Sequence, residues 1–70
     1  MNDVLTKIRK LIRDSNKSYS TLARESGIPM PTLTHWMYYS EAHPSAANII
    51  LLCTYFNVSA DWLLGLKETK

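Results

Sequence analysis

The chain has 70 residues, 46% of them hydrophobic and 20% charged, with a formal net charge of +2. That length supports one domain, residues 1–70, and the single cysteine, Cys53, excludes an intrachain disulfide. No run of about 20 apolar residues is present to cross a membrane, and Met1 to Lys7 lacks the layout of a secretion signal, so a cytoplasmic location is expected.

Val4, Leu5, Ile8, Leu11 and Ile12 recur at helical spacing and predict a first helix from about residue 2 to 15. Lys7, Arg9, Lys10 and Arg13 take the remaining faces, which reads as a solvated surface. Ser18 is a good N-cap, because its hydroxyl can accept from an orphan backbone N–H. The helix it starts, Tyr19 to about Ser26, buries Leu22 and Ala23, and Gly27 stands where a left-handed C-cap residue belongs. Ile28-Pro29-Met30-Pro31 can open a third helix but cannot lie inside one, since proline is tolerated only in a first turn. That helix should begin near Met30, run to Met37 and bury Leu33 and Trp36; Tyr38 to Pro44 reads as a loop.

Ser45 caps a fourth helix on which Ile49, Leu52, Cys53 and Phe56 form the apolar stripe, and Asn57 ends it. Ser59 caps a short fifth helix, with Asp61 placed well against the dipole. Trp62, Leu63 and Leu64 are expected to close the core, and Gly65 to end the helix. No stretch alternates as a strand would. The fold class is therefore all-α, five helices around one core.

The segment from Ser18 to Trp36, SYSTLARESGIPMPTLTHW, resembles the helix-turn-helix of the lambda-repressor/Cro-like (XRE-type) regulators. The segment from Pro44 to Gly65, PSAANIILLCTYFNVSADWLLG, is similar to that family's fourth and fifth helices. The two together cover about residues 8 to 65, with the motif at about 18–38. The resemblance implies a compact lambda-repressor-like DNA-binding domain whose second motif helix enters the major groove. Carried over position by position, it places base readout on Met30, Pro31, Thr34 and His35. It places phosphate contacts on Lys17, Ser18, Tyr19, Thr32, Arg24, Tyr38 and Tyr39.

Several positions depart from the family pattern. Tyr19 stands where Gln is common, and Met30-Pro31 replaces a polar tip. Such a tip cannot donate to base edges but can pack on a thymine methyl. Ile12 and Met37 occupy positions where the family pairs Arg with Glu, so a hydrophobic Ile12–Met37 contact is expected. The loop after the third helix lacks Gly and Lys and contains Glu41, which weakens its grip on phosphate.

Other residues read plainly. Trp36 belongs to the core rather than to base stacking, and Cys53 is a buried inert thiol. A zinc site from His35, His43 and Cys53 is not expected. Tyr38 and Tyr39 divide between loop packing and DNA contact. Leu51 stands where relatives carry a polar residue, so Ile50 and Leu51 are expected to form an exposed patch, with Trp62 part of a dimer interface.

No nucleophile–base–orienter arrangement, phosphate loop or carboxylate pair supports an enzyme, and no cofactor, membrane or small-molecule substrate is expected. The expected function is sequence-specific binding of a palindromic duplex operator by a homodimer, acting as a phage-type or bacterial repressor. The alternative is a protein-interaction module on the same fold, an antirepressor or a component of a toxin-antitoxin complex.

Overall fold

Three serines start three of the helices. Ser18 Oγ accepts from Thr21 N, Ser45 Oγ from Asn48 N and Ser59 Oγ from Trp62 N. Each satisfies one of the backbone donors that a helix start leaves unpaired. In the computed structural model, which describes residues 3–39, 42–66 and 68, the helices are α1 (Asp3–Asp14), α2 (Tyr19–Ser26), α3 (Met30–Tyr38), α4 (Ala46–Phe56) and α5 (Ala60–Leu63). The described residues contain no strand. Asn2, the expected start of α1, and Ser40 and Glu41 of the loop lie outside the described residues.

The helix ends are set as locally as the starts. Gly27 adopts φ +84° and donates its N–H to Ala23 O at 3.0 Å. Asn57 adopts φ +56° after α4, and Val58 N donates to Cys53 O at 3.0 Å. Gly65, at φ +84°, lets Leu66 N reach back to Asp61 O at 2.7 Å. These are the left-handed terminations that glycine and asparagine make at low steric cost. Pro31 sits in the first turn of α3, where its missing N–H costs nothing. That helix runs one residue past the expected end, to Tyr38.

Leu5, Ile8 and Ile12 of α1 meet Leu22, Ile28, Leu33, Trp36, Leu52 and Leu63 in one core. Fully burying each such Leu or Ile contributes roughly 1.5–3 kcal/mol. α3 packs against α1 and α2, while α4 packs against α2 and α5. The recognition segment is thus held on its inner side by two helices.

Two apolar expectations need correction. Leu64 is exposed while Leu63 is buried and Trp62 half-buried, because a single helical turn points three successive residues in three directions. Leu51 is not an exposed patch residue. It packs against the core, with a methyl 3.8 Å from where a Cβ on Gly27 would lie, while its neighbour Ile50 is 63% exposed. The extra apolar residue on α4 therefore covers the α2–α3 turn.

Candidate nucleic-acid interface

α3 has a dry face and a wet one. Leu33 and Trp36 are buried, whereas Met30, Pro31 and His35 are exposed and Thr32 and Thr34 are half-buried. Four residues expected to read bases thus lie on one short helix, three of them exposed. Thr34 Oγ1 lies 3.3 Å from Met30 O and 3.0 Å from Pro31 O, so its proton is used within the helix and only its lone pairs face outward. His35 stacks on Tyr39, with ring centroids 4.6 Å apart and an interplanar angle of 24°. That stacking fixes the imidazole plane relative to α3.

The residues expected to hold phosphate divide into engaged and available groups. Ser18 Oγ caps α2 and donates to Thr21 Oγ1 at 2.9 Å, so its hydroxyl is used. The N–H groups of Tyr19 and Ser20 open the helix beside it, in positions with no intrahelical partner. Lys17 does not extend towards that helix start. Its Nζ lies 2.9 Å from Glu25 Oε1 and 2.8 Å from Tyr55 Oη, running back along α2 to reach α4. Tyr55 Oη also donates to Glu25 Oε1. The hydrogen bonds to Tyr55 and Glu25 push the Lys17 ammonium up, and those from Tyr55 and Lys17 hold the Glu25 carboxyl down. Lys17 therefore serves first as a clamp between the α1–α2 turn and α4.

Tyr19 and Tyr38 bring their hydroxyls to 3.4 Å across α2 and α3, and this bond pushes the Tyr19 phenol above its ordinary range. The Tyr19 hydroxyl therefore stays protonated at neutral pH. Tyr38, 71% exposed, and Tyr39 project from the end of α3, and Arg24 is exposed on α2.

Two clefts flank α3. One, of about 400 Å³, is lined by Ile12, Arg13, Lys17, Ser18, Tyr19 and Met37. Ile12 is buried and Met37 packs against the core, and both line this cleft. The other, of about 350 Å³, lies between α3 and the start of α4 and is lined by Pro31, Thr32, His35, Trp36, His43, Ser45 and Asn48.

Sequence patterns missed what secures α3. Arg9 Nε donates to Trp36 O at 2.7 Å, and its Nη2 to Tyr39 O at 3.1 Å. A guanidinium across the carbonyl end of a helix satisfies groups that lack intrahelical donors and opposes the negative end of the dipole. Lys7 treats α5 likewise, donating to Trp62 O at 2.6 Å with its ammonium 5.0 Å from the indole centroid. The basic face of α1 is therefore half structural. Its signal in the sequence was two cations flanking the buried Ile8, but nothing local says which carbonyls they reach.

Comparison with known families decides the identity of this arrangement: residues 8–63 match the helix-turn-helix family of the XRE, Cro/C1-like type. The chain belongs to that family. Comparison with curated proteins and with solved structures gave no match. As a family member the chain is a DNA-binding transcription regulator, with α2 and α3 as its helix-turn-helix. No helix of the described residues is long and apolar enough to cross a membrane.

Proposed function

We propose that this helix-turn-helix protein binds a specific duplex operator by laying α3 in the major groove and acts there as a repressor. The observation that carries the proposal is the posture of α3. Gly27 turns the chain, Leu33 and Trp36 anchor the helix, and Met30, Pro31, Thr34 and His35 are left on its outer side. Met30 and Pro31 contact thymine methyls, Thr34 accepts from a base amino group, and His35 hydrogen-bonds a base edge. The N–H groups at the start of α2, with Tyr19, Thr32, Arg24, Tyr38 and Tyr39, hold the backbone on either side.

The protein acts as a homodimer on a two-fold operator, because one small domain makes few contacts and two half-sites supply both affinity and reading length. Ile50 and Leu64, both exposed, take the place of Leu51 in the dimer face, beside the half-buried Trp62. Exposed apolar groups at Met30, Ile50, Leu64 and Leu66 favour a second reading, a protein-interaction module on the same fold.

Selection from random duplex DNA tests the two. A palindromic site, bound less tightly as salt rises and weakened by Thr34→Ala or His35→Ala, supports the operator-binding dimer. No enrichment of any site, with self-association persisting at high salt, overturns it in favour of the interaction module.

A further inference from the structure

Between Arg24 and Lys67 the sequence contains no lysine or arginine, while Glu25, Glu41 and Asp61 are acidic. The recognition helix, the loop after it and both C-terminal helices therefore carry no permanent positive charge. The only basic side chains in that stretch are His35 and His43, and both line the cleft between α3 and α4. His35 comes from the exposed side of α3, while His43 comes from the segment leading into α4. Thr32, Ser45 and Asn48 add hydroxyl and amide donors to the same walls. Ser45 Oγ accepts from Asn48 N as the α4 cap, which leaves its own proton to donate.

We propose that this cleft is a seat for a DNA backbone phosphate whose hold is set by protonation of His35 and His43, the His35 imidazolium giving one N–H to the phosphate and keeping the other for a base edge. A neutral imidazole offers one donor and no charge, whereas the imidazolium offers two donors and a full positive charge. Histidine ordinarily titrates within about pH 5–8, so a seat built from two imidazoles should hold phosphate more tightly as pH falls. Among the described residues, no acidic group lines the cleft with them. The other cleft residues, Pro31, Thr32, Trp36, Ser45 and Asn48, are uncharged. Neither histidine takes part in an ion pair among the described residues. Of the elements packed on α3, α1 sends Arg9 to the carbonyls of Trp36 and Tyr39, and α2 sends Tyr19 to the hydroxyl of Tyr38. Tyr39 contributes its ring to His35, and α4 (Ala46–Phe56) has no charged residue.

The proposal rests on the DNA-binding reading, and one experiment separates their failures. A short, labelled, mixed-sequence duplex is titrated with the protein over a salt series at about pH 8 and about pH 6, spanning the histidine range. The plot of log affinity against log salt should steepen at the lower pH by roughly 0.9 for each imidazolium paired with a phosphate. At about 0.1 M salt this corresponds to a roughly 5–10-fold gain in affinity per imidazole. His35→Gln/His43→Gln should flatten the pH response, with circular dichroism melts confirming the fold at both pH values. His43→Gln alone, at an exposed position, should remove about half the change in slope, in proportion to one of two contacts. Equal slopes at the two pH values, or a pH response that survives in the folded double variant, overturn the proposal while DNA binding stands. No binding at either pH, to this duplex or to any site recovered by selection, overturns the DNA-binding reading itself.

Discussion

Replacing Arg9 by methionine isolates what holds the end of the recognition helix. Methionine keeps an apolar stem of similar length against α1 and removes both donors. The bond from Nε to Trp36 O is short, 2.7 Å, and partly buried, so it contributes about 1.5 kcal/mol. The bond from Nη2 to Tyr39 O is 3.1 Å long and exposed, and contributes about 0.5 kcal/mol. Their loss, about 2 kcal/mol together, corresponds to a fall in melting temperature of roughly 8–16 °C for a domain of this size. Lysine should recover only part of it, because one ammonium cannot reproduce the fork that spans the two carbonyls. Urea denaturation of Arg9→Met and Arg9→Lys, followed by circular dichroism, measures both differences. A methionine variant as stable as the parent would refute the argument, and so would full recovery by lysine. Either result would mean that the packing of Leu33 and Trp36 alone holds α3.

Three further outcomes follow from local geometry. Gly27→Ala should cost about 1–2 kcal/mol of unfolding free energy from the left-handed backbone alone, since the added Cβ would meet Leu51 at an ordinary 3.8 Å; a cost above about 3 kcal/mol would point to a clash instead. Ile12→Arg should destabilise by about 3–5 kcal/mol through an unpaired buried charge, and adding Met37→Glu should restore most of it in the same denaturation assay. The Glu25 carboxyl is held below its ordinary 4.5 by Tyr55 and Lys17, so its stabilisation is complete above that pH and is lost as pH falls through the lowered value. The gap in melting temperature between the parent and Glu25→Gln should accordingly narrow as acid is added, and it should shrink with salt because the pair is exposed.

Much of this protein was legible before its structure. Ser18, Ser45 and Ser59 each accept from an N–H three residues ahead, and Gly27, Asn57 and Gly65 end helices through bonds spanning at most five residues. Contacts that short depend on little beyond the adjacent chain, so residue type and position sufficed to place five helices. The same locality put Leu33 and Trp36 inward and Met30, Pro31 and His35 outward on α3, since one helical period decides which side each residue shares.

Tertiary structure decided what the long side chains do and which half-apolar positions are covered. The family resemblance implies a phosphate contact for Lys17, yet its partner Tyr55 is 38 residues away on α4. Arg9 and Lys7 read as solvated cations, yet they close the carbonyl ends of α3 and α5. Leu51 and Ile50 are adjacent and equally apolar, yet Leu51 packs over the Gly27 turn while Ile50 is 63% exposed. His35 and His43 are separated by a loop whose course no periodicity describes, and the docking of α4 brings them to one cleft. The division follows from reach. A backbone cap is settled within one turn of helix, whereas a flexible side chain or a cleft is settled by where a distant helix comes to lie.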